Sequence, residues 1–178
     1  DQNLSWWFDQ EHDTHLHLTL NRPVVPGESV QIGLRYWIDI PQITGRLGQH
    51  KGVTNLLNWY PVLAVYRQNE WRPVPYTPWH QPWHNEAGHY DVTLKLPADQ
   101  KVVTGGHVTN SSVGADGYKT LKIRGDGLRD FTIVASRRFH ELTSVSEGVP
   151  IRVLYFPEHK DHATVALQTA EDSIRIYS

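Results

Sequence analysis

Three observations predict an all-β fold, an antiparallel β-sandwich with a short C-terminal α-helix. Apolar and polar residues alternate with period two over several short runs, the pattern of half-buried strands. Clusters of Gly and Pro punctuate those runs and supply turn geometry. The final segment alone changes to three- and four-residue apolar spacing, the pattern of one amphipathic helix.

The elements follow in order. Thr14, Leu16, Leu18 and Leu20 alternate with His15, His17 and Thr19, and Val30, Ile32, Leu34, Tyr36, Ile38 and Ile40 alternate with Gln31, Gly33, Arg35, Trp37 and Asp39. With Pro23, Pro26 and Gly27 between them, the two runs are expected to pair as antiparallel neighbours. Residues 42–51 lose the pattern. Leu56 to Tyr66 is nearly continuous apolar and aromatic sequence, which suits a strand covered on both faces. Pro73, Pro75, Pro78 and Pro82 exclude helix and central strand, so Arg72 to Gly88 is expected to be a long surface loop. Strands resume at Tyr90–Leu96, with weaker candidates at Val102–Val108, Lys119–Arg124, Phe131–Ser136 and Ile151–Phe156. After Pro157, the positions Ala163, Ala166, Leu167, Ala170, Ile174 and Tyr177 form one helical stripe, expected to pack on sequence beyond Ser178. The predicted division is a β-sandwich over residues 1–157, then a helical segment over 158–178.

Composition removes several function classes. The chain has 178 residues, with 17 Lys and Arg against 19 Asp and Glu and a formal net charge of -2. It has no basic block for nucleic acid or an anionic membrane. No apolar run approaches the roughly 18 residues of a membrane-spanning helix. Cysteine is absent, which excludes a disulfide framework and a thiol nucleophile, and leaves the compartment unassigned. Methionine is absent too, so Asp1 is expected to be a processed end or a boundary within a longer product.

Eleven histidines raise the question of metal. His15 and His17 share one strand face but have no evident third ligand. His80, His84, Glu86 and His89 match no zinc spacing, and Glu158, His159 and His162 suit a solvated first helical turn. His140-Glu141-Leu142-Thr143-Ser144 falls one residue short of H-E-x-x-H, because Ser144 stands where the second zinc ligand belongs. No catalytic or metal residue is assigned. Trp71, Trp79 and Trp83, with His80 and His84, form a loop-borne aromatic set that reads as an interdomain or ligand face.

Four runs together resemble the N-terminal domain of the aminopeptidase-N family of zinc metallopeptidases. They are Asn58-Trp59-Tyr60-Pro61-Val62-Leu63-Ala64-Val65-Tyr66, Tyr90 to Pro97, Leu128-Arg129-Asp130-Phe131 through Ser136, and Val153-Leu154-Tyr155-Phe156-Pro157-Glu158-His159. The resemblance implies a non-catalytic, saddle-like β-sandwich over residues 1–157 that packs on a catalytic domain of the same chain and shapes its peptide cleft, with residues 158–178 as the joint and first helix of that catalytic domain. It places zinc, H-E-x-x-H and a glutamate general base in that other domain. A loop of this domain in many relatives meets the substrate's amino group. Here the position falls near Gly52, with Gln49 and His50 the nearest polar candidates. Two other readings stand beside this one: a carbohydrate-binding module stacking sugar on Trp71, Trp79 and Trp83, and a scaffold domain of an inactive peptidase homologue.

Overall fold

The computed structural model describes residues 3–75 and 85–178. In chain order the strands are β1 (Ser5–Phe8), β2 (Leu16–Thr19), β3 (Leu47–His50), β4 (Val53–Leu56), β5 (Val65–Arg67) and β6 (Glu70–Arg72). Next come β7 (Gly88–Pro97), β8 (Lys101–Thr104), β9 (His107–Val113), β10 (Tyr118–Leu128), β11 (Ile133–Ser136), β12 (His140–Ser146) and β13 (Val149–Tyr155). A 3-10 turn, Pro157–His159, leads into α1 (Lys160–Tyr177). Every ladder among the described residues is antiparallel. The fold class is therefore all-β with one C-terminal helix.

Two compact units divide these elements: Asp1–Ile38 with Pro61–Glu86, and Asp39–Tyr60 with Ala87–Ser178. The second unit carries the core. Its four-stranded sheet runs β3-β4-β11-β8 and its three-stranded sheet runs β7-β10-β9. Period two is clearest on β10, where Leu121 and Ile123 are buried while Lys122 and Arg124 face outward. Leu96, Leu121 and Ile123 of the three-stranded sheet meet Phe131 and Ile133 of the other layer, with Leu56 and Val102 packed beside them. This is a sandwich-like core.

Phe131 is fully buried, and its backbone is held from both sides by residues 59 and 60. The Trp59 indole Nε1 donates to the Phe131 carbonyl at 2.8 Å. The Phe131 N–H is shared between the Tyr60 hydroxyl at 3.0 Å and the Asp130 carboxylate at 2.8 Å. Tyr60 Oη also lies 2.9 Å from Tyr90 Oη and 3.1 Å from Asp130 Oδ1. Burial, then the bonds to Tyr90 and Asp130, push the Tyr60 phenol well above its ordinary range, opposed only by the Phe131 N–H. Two sequence runs about seventy residues apart thus close on one peptide unit.

Several elements differ from their sequence expectation. Thr14–Leu20 contributes β2, but its partner is β1, in register Trp6↔Leu18 and Trp7↔His17. Val30–Ile40 forms no ladder among the described residues. Alternation specifies which side chains share a face; it does not provide an edge for the backbone to meet. Leu56–Tyr66 is not one strand. Asn58 sits at φ 52 and breaks the extended path after β4, and Trp59 and Tyr60 are spent on the Phe131 contacts. Residues 42–51, which show no pattern, contain β3. The Val102–Val108 run splits into β8 and β9 at Gly105-Gly106, where a Cβ on Gly106 would stand 2.5 Å from the Arg124 carbonyl oxygen. His140–Ser146, singled out by sequence only for its near-miss of a zinc motif, is a full strand, β12, paired with β13.

α1 packs within the chain, against β12 and β13. Ala163 is buried, and Leu167, Ala170 and Ile174 are half-buried on the same face, at offsets of four, seven and eleven residues. Ser144 and Ser146 hydroxyls donate to the Glu171 carboxylate and carbonyl respectively. The stripe is shifted from the sequence reading, since Ala166 and Tyr177 are exposed. The first unit is different in kind: none of its described residues is buried, and Trp37 remains 86% exposed.

Truncating Phe131 to Ala should cost about 3–5 kcal/mol in urea unfolding, because the cavity opens at the centre of the core. A pH titration gives a second check. A raised folded-state phenol keeps its full contribution below the ordinary tyrosine range near pH 10. Above it the unfolded chain ionises first, so stability falls as pH rises. Tyr60→Phe should be less stable at neutral pH yet lose stability less steeply above about pH 10.

Candidate functional site

The geometry that matters in the second unit begins at the β3–β4 turn. His50 and Val53 are the last ladder pair, leaving Lys51-Gly52 as a two-residue loop with φ of 48° and 79°. Positive φ at both positions is the primed turn that matches strand twist, a geometry in which Gly52 suits its place without strain. Lys51 is consequently held at the hairpin tip.

β11 anchors that tip. Its last residue, Ser136, is fully buried; the hydroxyl donates to the Gly52 carbonyl at 2.7 Å and accepts from the Arg138 N–H at 3.1 Å. The Arg138 side chain then spans two segments. Nη1 donates to the Lys51 carbonyl at 3.0 Å, Nη2 meets Glu158 Oε1 at 2.8 Å, and the guanidinium lies 4.6 Å from the centre of the Phe156 ring. Phe156 in turn stacks on Phe139 at 5.2 Å. The carboxyl of Glu158 is held below its ordinary range by its own backbone N–H first and then by Arg138.

Between the hairpin and the 156–159 joint lies an open groove of about 570 Å³. Ile43, Val53 and Phe156 give it an apolar side; His50, Lys51, Arg138, Glu158 and His159 give it a polar one. At neutral pH the two cations outweigh the one carboxylate, which Arg138 already pairs. The arrangement suits holding a charged, partly apolar ligand.

The sequence candidates fall in different places. His50 lines the groove, whereas the neighbouring Gln49 is turned to Gln42, whose Nε2 it accepts at 3.1 Å. Trp71 lies on β6 with its ring edge-on to Tyr66, at 4.9 Å and 61°, so those two rings form no flat platform. Trp79, His80, Trp83 and His84 lie outside the described residues. Glu158 and His159, read from sequence as a solvated helical turn, instead contribute to the groove. Lys51 and Arg138 carried no sequence signal beyond standing next to Gly52 and two residues past the R-D-F-to-Ser136 run.

Among the described residues the other histidine clusters assemble no ligand set. His17 stacks on Trp7 at 5.1 Å and 6°, and its Nε2 lies 3.5 Å from Asp9. Among the described residues the buried Nε2 atoms of His15 and His17 have no hydrogen-bond partner. The Asp9 carboxyl is held low by the backbone N–H groups of Glu11 and His12. His140 and Glu141 occupy a strand, where Glu141 pairs with Arg152 at 2.8 Å. Among the described residues no three His, Asp or Glu side chains are grouped to hold a metal ion. No described helix is long and apolar enough to cross a membrane. Scans of protein families, curated proteins and solved structures return no match to this chain.

Arg138→Ala removes the guanidinium that ties the hairpin tip to the joint. The expected result is faster amide exchange at Lys51–Val53, with a stability loss of about 1 kcal/mol, small because the side chain is largely solvated. Arg138→Lys should restore little of it, since an ammonium cannot bridge two acceptors while stacking on a ring. Because the Glu158 carboxyl is held low, its tether is at full strength above the ordinary glutamate range and is lost as pH falls below it. Acidification should therefore lower the protection factors at the hairpin, measured against unfolded-peptide exchange rates at the same pH, in the native chain and leave those of Glu158→Gln unchanged.

Proposed function

We propose that this chain is the non-catalytic N-terminal β-sandwich domain of an aminopeptidase-N-like zinc metallopeptidase. Its role is to pack against the catalytic domain of the same protein and restrict which peptides reach that domain's cleft. The observation that carries the reading is the junction at residues 156–160. There the hairpin-borne His50 and Lys51, the Arg138 tether and the start of α1 converge beside one open groove.

The helix supports the same role. One face is taken by β12 and β13, while Val165 and Ile176 on the opposite side stay 65% and 70% exposed and Tyr177, at the last helical position, 87%. Apolar groups so placed on a rigid helix suit burial against a further body. On this reading zinc, with H-E-x-x-H, belongs wholly to the catalytic domain, and none of the chemistry is assigned to these 178 residues.

An assay on aminoacyl-aminomethylcoumarin substrates with added zinc should show no turnover by the 178-residue chain. The product of the complete open reading frame should hydrolyse the same substrates and lose that activity to a chelator. Zinc-dependent turnover by the short chain would sink the proposed division of labour. An open reading frame without H-E-x-x-H downstream would favour the scaffold reading instead.

A further inference from the structure

The groove has a definite electrostatic sense. Lys51 sits at the tip of a two-residue turn pinned by Ser136 and Arg138, and no hydrogen bond or ion pair engages its ammonium among the described residues. Arg138 is fixed by one carbonyl, one carboxylate and one ring. Those contacts engage only some of its five N–H donors. Both cations border the same hollow as Phe156 and Val53. A fixed guanidinium and an unpaired ammonium beside an apolar wall match a carboxylate attached to an apolar neighbour.

We propose that this groove is a carboxylate-binding site for a peptide, with Lys51 and Arg138 receiving an acidic group and Phe156 the adjacent apolar side chain. The inference deepens the covering-domain reading by naming the ligand chemistry at the cleft, and rests on it only for the ligand being a peptide. The carboxylate has two sources, an acidic side chain or a C-terminus.

Three dipeptide probes separate the outcomes: N-acetyl-Glu-Phe-amide carries only a side-chain carboxylate, N-acetyl-Gln-Phe only a terminal one, and N-acetyl-Gln-Phe-amide neither. Titrated into the 178-residue chain and followed by amide NMR, at least one charged probe should bind about three- to fivefold tighter than the neutral one. Shifts should centre on Lys51, Arg138 and Phe156. Which charged probe binds better identifies the source. Lys51→Asn is the decisive variant, because Asn accepts the positive-φ turn at least as well as Lys. It should melt no lower than the native chain and lose the preference for charge. Equal binding of neutral and charged probes, no binding of any, or an unchanged preference in folded Lys51→Asn overturns the proposal. The hydrolysis assay of the preceding section is unaffected by any of these results.

Discussion

The capture of the Phe131 peptide by Trp59 and Tyr60 is the constraint on which the second unit depends. A ring at the centre of a sandwich has no solvent to satisfy its backbone, so its N–H and carbonyl need partners inside the protein. Residues 59 and 60 supply both, from a segment about seventy positions away in the chain. Asp130 secures the same N–H, and Tyr90 closes the network from β7. The buried ring and the bonded backbone thus reinforce one another: packing excludes water, and the bonds make exclusion of water tolerable.

Register propagates outward from that point. Once Phe131 is fixed, β11 is set against β4 through Ile133↔Leu56 and Ser136↔Val53, which carries Ser136 to the Gly52 carbonyl and Arg138 to the Lys51 carbonyl. The tip of the hairpin is therefore positioned by the core rather than by its own loop chemistry. The groove inherits the same rigidity on that side. On its other side Phe156 and Glu158 are held by Arg138, so a single side chain joins the sheet to the joint that leads into α1.

Much of this was legible in the sequence where burial is one-sided. β7 and β10 read correctly because one face meets the core and the other meets water, and the helix read correctly because Ala163, Leu167, Ala170 and Ile174 keep one stripe. Leu56 to Tyr66 has the apolar density of a strand without being one. Trp59 and Tyr60 within it clasp Phe131, a tertiary role that leaves the same compositional mark, while Val62 and Leu63 stay exposed. His50 was singled out and does line the groove. Lys51 and Arg138 were not, since an isolated Lys at a turn and an Arg after a strand look like any solvated cation.

By itself the sequence determined the fold class, the helix and the two short runs, Asn58 to Tyr66 and Leu128 to Ser136, that turn out to touch. Hydrophobic period and turn chemistry are local properties, and they survive being read one segment at a time. Only the tertiary structure decided which strand edges meet, that Trp59 and Tyr60 serve one distant peptide, and that the helix seats on β12 and β13. It alone brought Lys51, Arg138 and Phe156 to one hollow. Those are pairings between segments far apart in the chain, chosen by which buried polar groups can be satisfied together, and no local pattern encodes that choice.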